Sequence, residues 1–254
     1  LGNGGPLFLL GVFAPALAAI GLTLSATGQD GVLRLVSPIG RWRVAVRWYL
    51  FALSYFIVLK LGAALLQRVA TGEWPEFGRW SLPVLLGGVL VSTWSQAGEE
   101  VGWRGYLLPL LTNRMGLGAG GILVGLIWAL WHLPLFYLEG SGSAGQSFPL
   151  YASHVTALSV AMTWLYWRTG RSLLLVMVMH AAVNNTTGIV VSAVPGASSV
   201  WTLSGSFAGW STAGLSWLVA IGLLRAMRGG TLETGPAAAG PQPPPMERPR
   251  HHST

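Results

Sequence analysis

Cysteine is absent from this chain of 254 residues. That removes a thiolate nucleophile, a cysteine-ligated zinc and any disulfide. Lysine is almost absent, with Lys60 standing alone. Charge of either sign is scarce: 9% of residues are charged, against about 25% in an ordinary soluble domain. The little charge present is lopsided, at net +7. In a soluble chain such a surplus would raise the question of nucleic acid. Here the arginines sit at the ends of apolar runs, where membrane anchors sit, so no nucleic-acid partner is implied. Two catalytic signatures are missing as well. No His-Glu-x-x-His marks a zinc protease, and no Gly-x-Ser-x-Gly accompanies a histidine, so Ser95 has no obvious base.

What is present is apolar sequence, at 52% of the chain. A membrane-spanning helix needs about 20 mostly apolar residues. Seven stretches qualify: 6–25, 44–66, 81–98 continuing as helix to about 111, 118–138, 150–168, 172–192 and 206–226. The expected fold is therefore all-α, a polytopic bundle of about seven spans over residues 1–228. The chain starts at Leu1, which leaves room for a further helix upstream, and the first run has no basic region before it and reads as retained helix. From 229 the Pro/Gly/Ala-rich tail cannot bury a core and reads as disordered; His251 and His252 lie there, solvated.

Arginine placement orients the bundle. Arg34, Arg41, Arg43 and Arg47 fill the first connection, Arg104 and Arg114 the third, Arg168 and Arg171 the fifth, and Arg225 and Arg228 close the last helix. Connections 139–149 and 193–205 have none. Basic residues mark the cytoplasmic side, so the C-terminus is expected inside and the N-terminus outside. Many of the 13 tryptophans lie near segment ends and suit an interfacial belt. Gly121 and Gly125 have the small-xxx-small spacing that lets helices approach closely.

Ionisable groups within membrane helices are functional candidates. In "AGEEVGWRGYLLPLL" Glu100 and Arg104 stand at i,i+4 and can pair. Glu99 points about 100° away. A carboxylate held by arginine beside one that is not suits one structural and one reactive group; the spacing does not fix which. In "GLIWALWHLPLF" Trp128 and His132 share a face, and an imidazole can serve as base or proton shuttle. In "VMVMHAAVNNTTG" His180 and Asn184 share a face as two directed polar groups, able to hold an oxyanion, bind a metal or join two helices. Asn185 points elsewhere and suits an interhelical hydrogen bond. These groups come from three helices in apolar surroundings that favour their meeting in a single buried site. His154 reads as structural or interfacial, and Lys60 as an anchor that snorkels to its helix end.

These three motifs together resemble those of the CAAX prenyl endopeptidase and bacteriocin-processing family (also called ABI, CPBP or type II CAAX-protease), over roughly residues 80–192. The resemblance implies an intramembrane endopeptidase of bacterial type, an integral protein of the cell membrane. Glu99 and His132 would activate a water, His180 and Asn184 would stabilise the oxyanion, and Glu100, Arg104 and Trp128 would support the site. No cofactor is implied. Trp128 departs from the phenylalanine frequent at that position, and seven helices from the eight often drawn. The implied partners are the lipid bilayer and a peptide or membrane-protein substrate. Two rivals follow from the same residues: a zinc protease, since two histidines plus a glutamate can make a catalytic zinc set, and a non-catalytic binding or transport protein built around a Glu/His/Arg cluster. No repeated halves of the transporter kind are seen.

Overall fold

The computed structural model describes residues 6–186, 189, 199–203 and 205–232, and these are helical with short connections. In chain order the helices are α1 (Pro6–Val36), α2 (Val46–Thr71), α3 (Leu82–Ser95), the single turn α4 (Ala97–Glu100), a π-helical stretch Val101–Leu107, α5 (Leu108–His132), α6 (Phe148–Arg168), α7 (Leu173–Asn185) and α8 (Phe207–Ala226). Each of the seven expected stretches contains helix; the sixth is helical to Asn185, and residues 187, 188 and 190–192 lie outside the described residues. Four segments are long and apolar enough to cross a membrane by length and composition: Leu9–Gly40, Val46–Thr71, Leu82–Phe136 and Phe207–Ala226. The third has 55 residues, far more than the 20 or so that one crossing needs.

That long segment turns back at Gly116, whose φ of 80° is a left-handed value open to glycine. The expected break between the third and fourth helices falls here. α1 runs further than expected, to Val36, with a kink at Gly28 (φ 68°). Helix starts are closed by hydroxyls: Ser147, Ser172 and Ser206 each accept the backbone N–H three residues on, at about 1 kcal/mol per cap.

α6 and α7 form the centre, with Leu158, Met162, Leu165, Leu173, Met177 and Met179 fully enclosed. Glycines set the closest approaches. A Cβ on Gly125 would stand 2.7 Å from Thr156 Cα, and one on Gly121 2.8 Å from Thr163 Oγ1, so the small-xxx-small pair is the seam between α5 and α6. A second pair, Gly98 and Gly102, does the same for α1. Their Cβ atoms would meet the Val12 carbonyl and Pro15 backbone at 2.6 Å. α1 thus presses directly on the glutamate motif and is more than a generic span.

Lys60 does not snorkel. It is 3% exposed, with Nζ 5.5 Å from the Phe56 ring. Its stem starts more than two turns before the helix end at Thr71, and α6 and α8 cover that level of α2. His154 packs there too, 4.7 Å from the Phe56 ring and 3.4 Å from Ser216 Oγ, in the structural role expected. At the C-terminal end, Met227 and Leu232 are buried, so residues to 232 lie against the bundle. The rest of the tail, with His251 and His252, lies outside the described residues.

Candidate active site

The indole of Trp128 is the hub around which the polar residues gather. It is 2% exposed, on α5 one turn before His132. Its Nε1 donates to Glu99 Oε2 at 2.6 Å. The Arg104 guanidinium lies over its ring at 4.5 Å. The His180 ring meets it edge-on at 5.0 Å and the His132 ring at 6.2 Å. Four segments therefore converge on one side chain, which gathers the expected polar groups other than Asn184.

The adjacent glutamates are divided by the helix, as their angular separation predicts. Glu100 is fully enclosed, as is Arg104. Arg104 Nη1 donates to both Glu100 oxygens, at 2.9 and 3.0 Å, while its Nη2 reaches Met162 Sδ at 3.4 Å. His180 Nδ1 stands 2.8 Å from Glu100 Oε1. Glu100 is thus saturated by a cation and an imidazole. An i,i+4 pair at a wet membrane interface would not be sealed this way.

Glu99 is held differently. Both of its donors, Trp128 Nε1 and Trp103 Nε1 (3.2 Å), use the same oxygen, Oε2. Oε1 takes no hydrogen bond among the described residues, yet it is not among the fully enclosed polar atoms that lack a partner. His180 and His132 are the imidazoles that interact with Glu99 electrostatically.

The histidine tautomers follow from their partners. His132 Nδ1 lies 2.9 Å from the Trp128 carbonyl oxygen. A carbonyl can only accept, so Nδ1 carries the proton and Nε2 offers a lone pair in the neutral ring. His180 Nδ1 likewise donates to the Glu100 carboxylate, which leaves Nε2 turned away from it. Such fixing of one ring nitrogen decides what the other can do.

The two asparagines separate as well. Asn185 donates to Ser92 Oγ on α3 at 3.1 Å and to the Ala181 carbonyl at 2.8 Å, the interhelical role expected. Gly88 makes room, since a Cβ there would stand 2.5 Å from Asn185 Oδ1. Asn184 sits one turn beyond His180, is exposed and hydrogen-bonds nothing among the described residues. The structure does not tie it to the others.

Two neighbours escape a reading by motif. Trp103 is four residues after Glu99, the spacing that pairs Glu100 with Arg104, so its role was open to inference, but tryptophan in an apolar chain reads first as an anchor. Tyr151 on α6 packs its ring 5.7 Å from that of His132, a long-range contact with no local signal. Among the described residues no three of His, Asp and Glu converge as metal ligands do.

Residues 78–186 match the family described as type II CAAX prenyl endopeptidase Rce1-like. The matched segment runs from just before α3 to the end of α7 and contains every residue that gathers around Trp128. The chain is also 28% identical over 139 residues to the CAAX prenyl protease 2 of Methanococcus maripaludis, covering 52% of this chain and 49% of that one. The chain therefore spans about half the length of that curated relative. α1, α2 and α8 lie outside the matched segment, although α1 buttresses its glutamate motif.

Proposed function

We propose that the chain is an intramembrane endopeptidase that hydrolyses a peptide bond with an activated water and no covalent intermediate. The observation that carries this reading is the unequal treatment of two neighbouring carboxylates. Glu100 is sealed by Arg104 and His180, whereas Glu99 is gripped by one oxygen and keeps the other open.

In this reading Glu99 Oε1 takes a proton from water while His132 Nε2 accepts the water's other hydrogen and aims its lone pair. The water attacks the scissile carbonyl. His180 and Asn184 hold the developing oxyanion. With Nδ1–H committed to Glu100, His180 can donate from Nε2 only as the imidazolium, and the Glu100 carboxylate, anchored by Arg104, is its counter-ion. Asn184 is exposed at the margin and would close on the oxyanion only with substrate present, as catalytic hydrogen bonds often do. The proton then passes from Glu99 or His132 to the leaving amine. General acid–base help of this kind contributes ~10²–10⁴ in rate.

The substrate is proposed to be a peptide or membrane protein reached from within the bilayer. The relative's name specifies a prenylated CAAX protein; lipidation of this chain's substrate is a separate question, answered by sequencing the products. The arginine distribution supports a cytoplasmic C-terminus, and the Ala/Gly/Arg-rich composition a bacterial cell membrane. Comparing new peptide N-termini between wild type and Glu99→Gln tests the reading. Metal content of protein purified without chelator tests the zinc alternative, with about one equivalent of zinc favouring it.

A further inference from the structure

Glu99 receives two hydrogen bonds on one oxygen, both from indoles, in a chain whose other described tryptophans lie largely at exposed sites or pack on arginines and rings. Trp103 comes from the π-helical stretch and Trp128 from α5, so the carboxylate is pinned between two segments. Both indoles are buried, at 8% and 2% exposure. Trp103 is in turn braced edge-on by Trp131 at 6.1 Å, and Trp128 is fixed by Arg104 on its face. An indole N–H is a donor that cannot accept or lose its proton at ordinary pH. Two of them on Oε2 therefore fix the carboxylate plane and leave Oε1 as the one oxygen able to meet water.

We infer that Trp103 and Trp128 are positioning residues, a two-indole clamp that selects the reactive oxygen of Glu99 and aims it at the water. This rests on the proposed role of Glu99 but is testable apart from it. The other groups facing Glu99 are His132 of α5, His180 of α7, Tyr151 of α6 and Arg104 of the π-helical stretch. None of these donates a hydrogen bond to Oε2 in the structure. Trp103 on Glu99 and Arg104 on Glu100 are two i,i+4 pairs side by side.

The test uses the full chain in lipid nanodiscs with ¹³C-labelled glutamate. The infrared carboxylate band that disappears in Glu99→Gln is assigned to Glu99. Trp128 is then replaced by benzothienylalanine, which keeps the bicyclic ring and puts sulfur where the N–H was; Trp103→Phe and Trp128→Phe are made as genetic counterparts. The expected result is that each replacement shifts the Glu99 band with the folded state kept. Where Glu99-dependent cleavage is measured, it should fall roughly 10- to 100-fold, the range for losing one hydrogen bond to a charged group. An unshifted band in the benzothienylalanine protein would overturn the clamp. Wild type without Glu99-dependent products would sink the peptidase reading, while the infrared result would still decide the clamp.

Discussion

Glu99 and Glu100 differ by one position and by everything around them, so their substitutions should separate. Glu99→Gln keeps the shape and its two indole donors; cleavage should vanish while the thermal midpoint in detergent stays within a few degrees of wild type. Glu100→Leu strands a buried guanidinium, and removing one partner of such a pair costs about 3–5 kcal/mol. Its midpoint should fall sharply. The double variant Glu100→Leu, Arg104→Leu should recover part of that loss, because an apolar pair of similar volume replaces a desolvated ion pair. Equal midpoints for single and double variants would contradict the structural role. At this scale the pairing of Glu100 with Arg104 was legible from spacing alone. The attachment of His180 to Glu100 was not, because those residues are 80 positions apart and no local pattern encodes the contact.

Helices bring these residues together, and glycines decide how closely. The break at Gly116 and the seam at Gly121 and Gly125 could be read from spacing, since both use familiar glycine chemistry. The π-helical winding at Val101–Leu107 could not, because no residue preference distinguishes it from α-helix. Nor could the docking of α1 on Gly98 and Gly102, although those two glycines have the same spacing as the seam pair. A direct consequence follows. Gly102→Val places a Cβ 2.6 Å from the Pro15 backbone, where no flexible side chain can yield. Overpacking of this kind costs about 1–3 kcal/mol or more, and here it also displaces the turn carrying Glu99. Stability and cleavage should both fall. Gly87→Ala on α3, whose Cβ would meet nothing within 4 Å, should leave both unchanged. Unfolding curves and product yields for the two variants check this.

For the whole molecule, the proposed orientation rests on the basic residues, and the absence of cysteine makes it easy to measure. Gly40 and Gly142 are exposed, and a Cβ on either meets nothing within 4 Å. In intact cells a membrane-impermeant maleimide should label Gly142→Cys and spare Gly40→Cys until the membrane is opened; the reverse pattern would invert the topology. The helical class and the approximate helix positions among the described residues were legible because apolar runs of that length have few other fates. Burial of Lys60 was not, since it depends on α6 and α8 covering that level of α2.

The central claim is that Glu99 drives peptide hydrolysis, and it meets its most direct test in the products. Wild type and Glu99→Gln are expressed at matched levels in a host without the native copy, and the N-termini of membrane and secreted peptides are sequenced. A set of termini present with wild type and absent with Glu99→Gln is the predicted result, and it would identify the substrate. Identical termini from the two folded proteins would contradict the account.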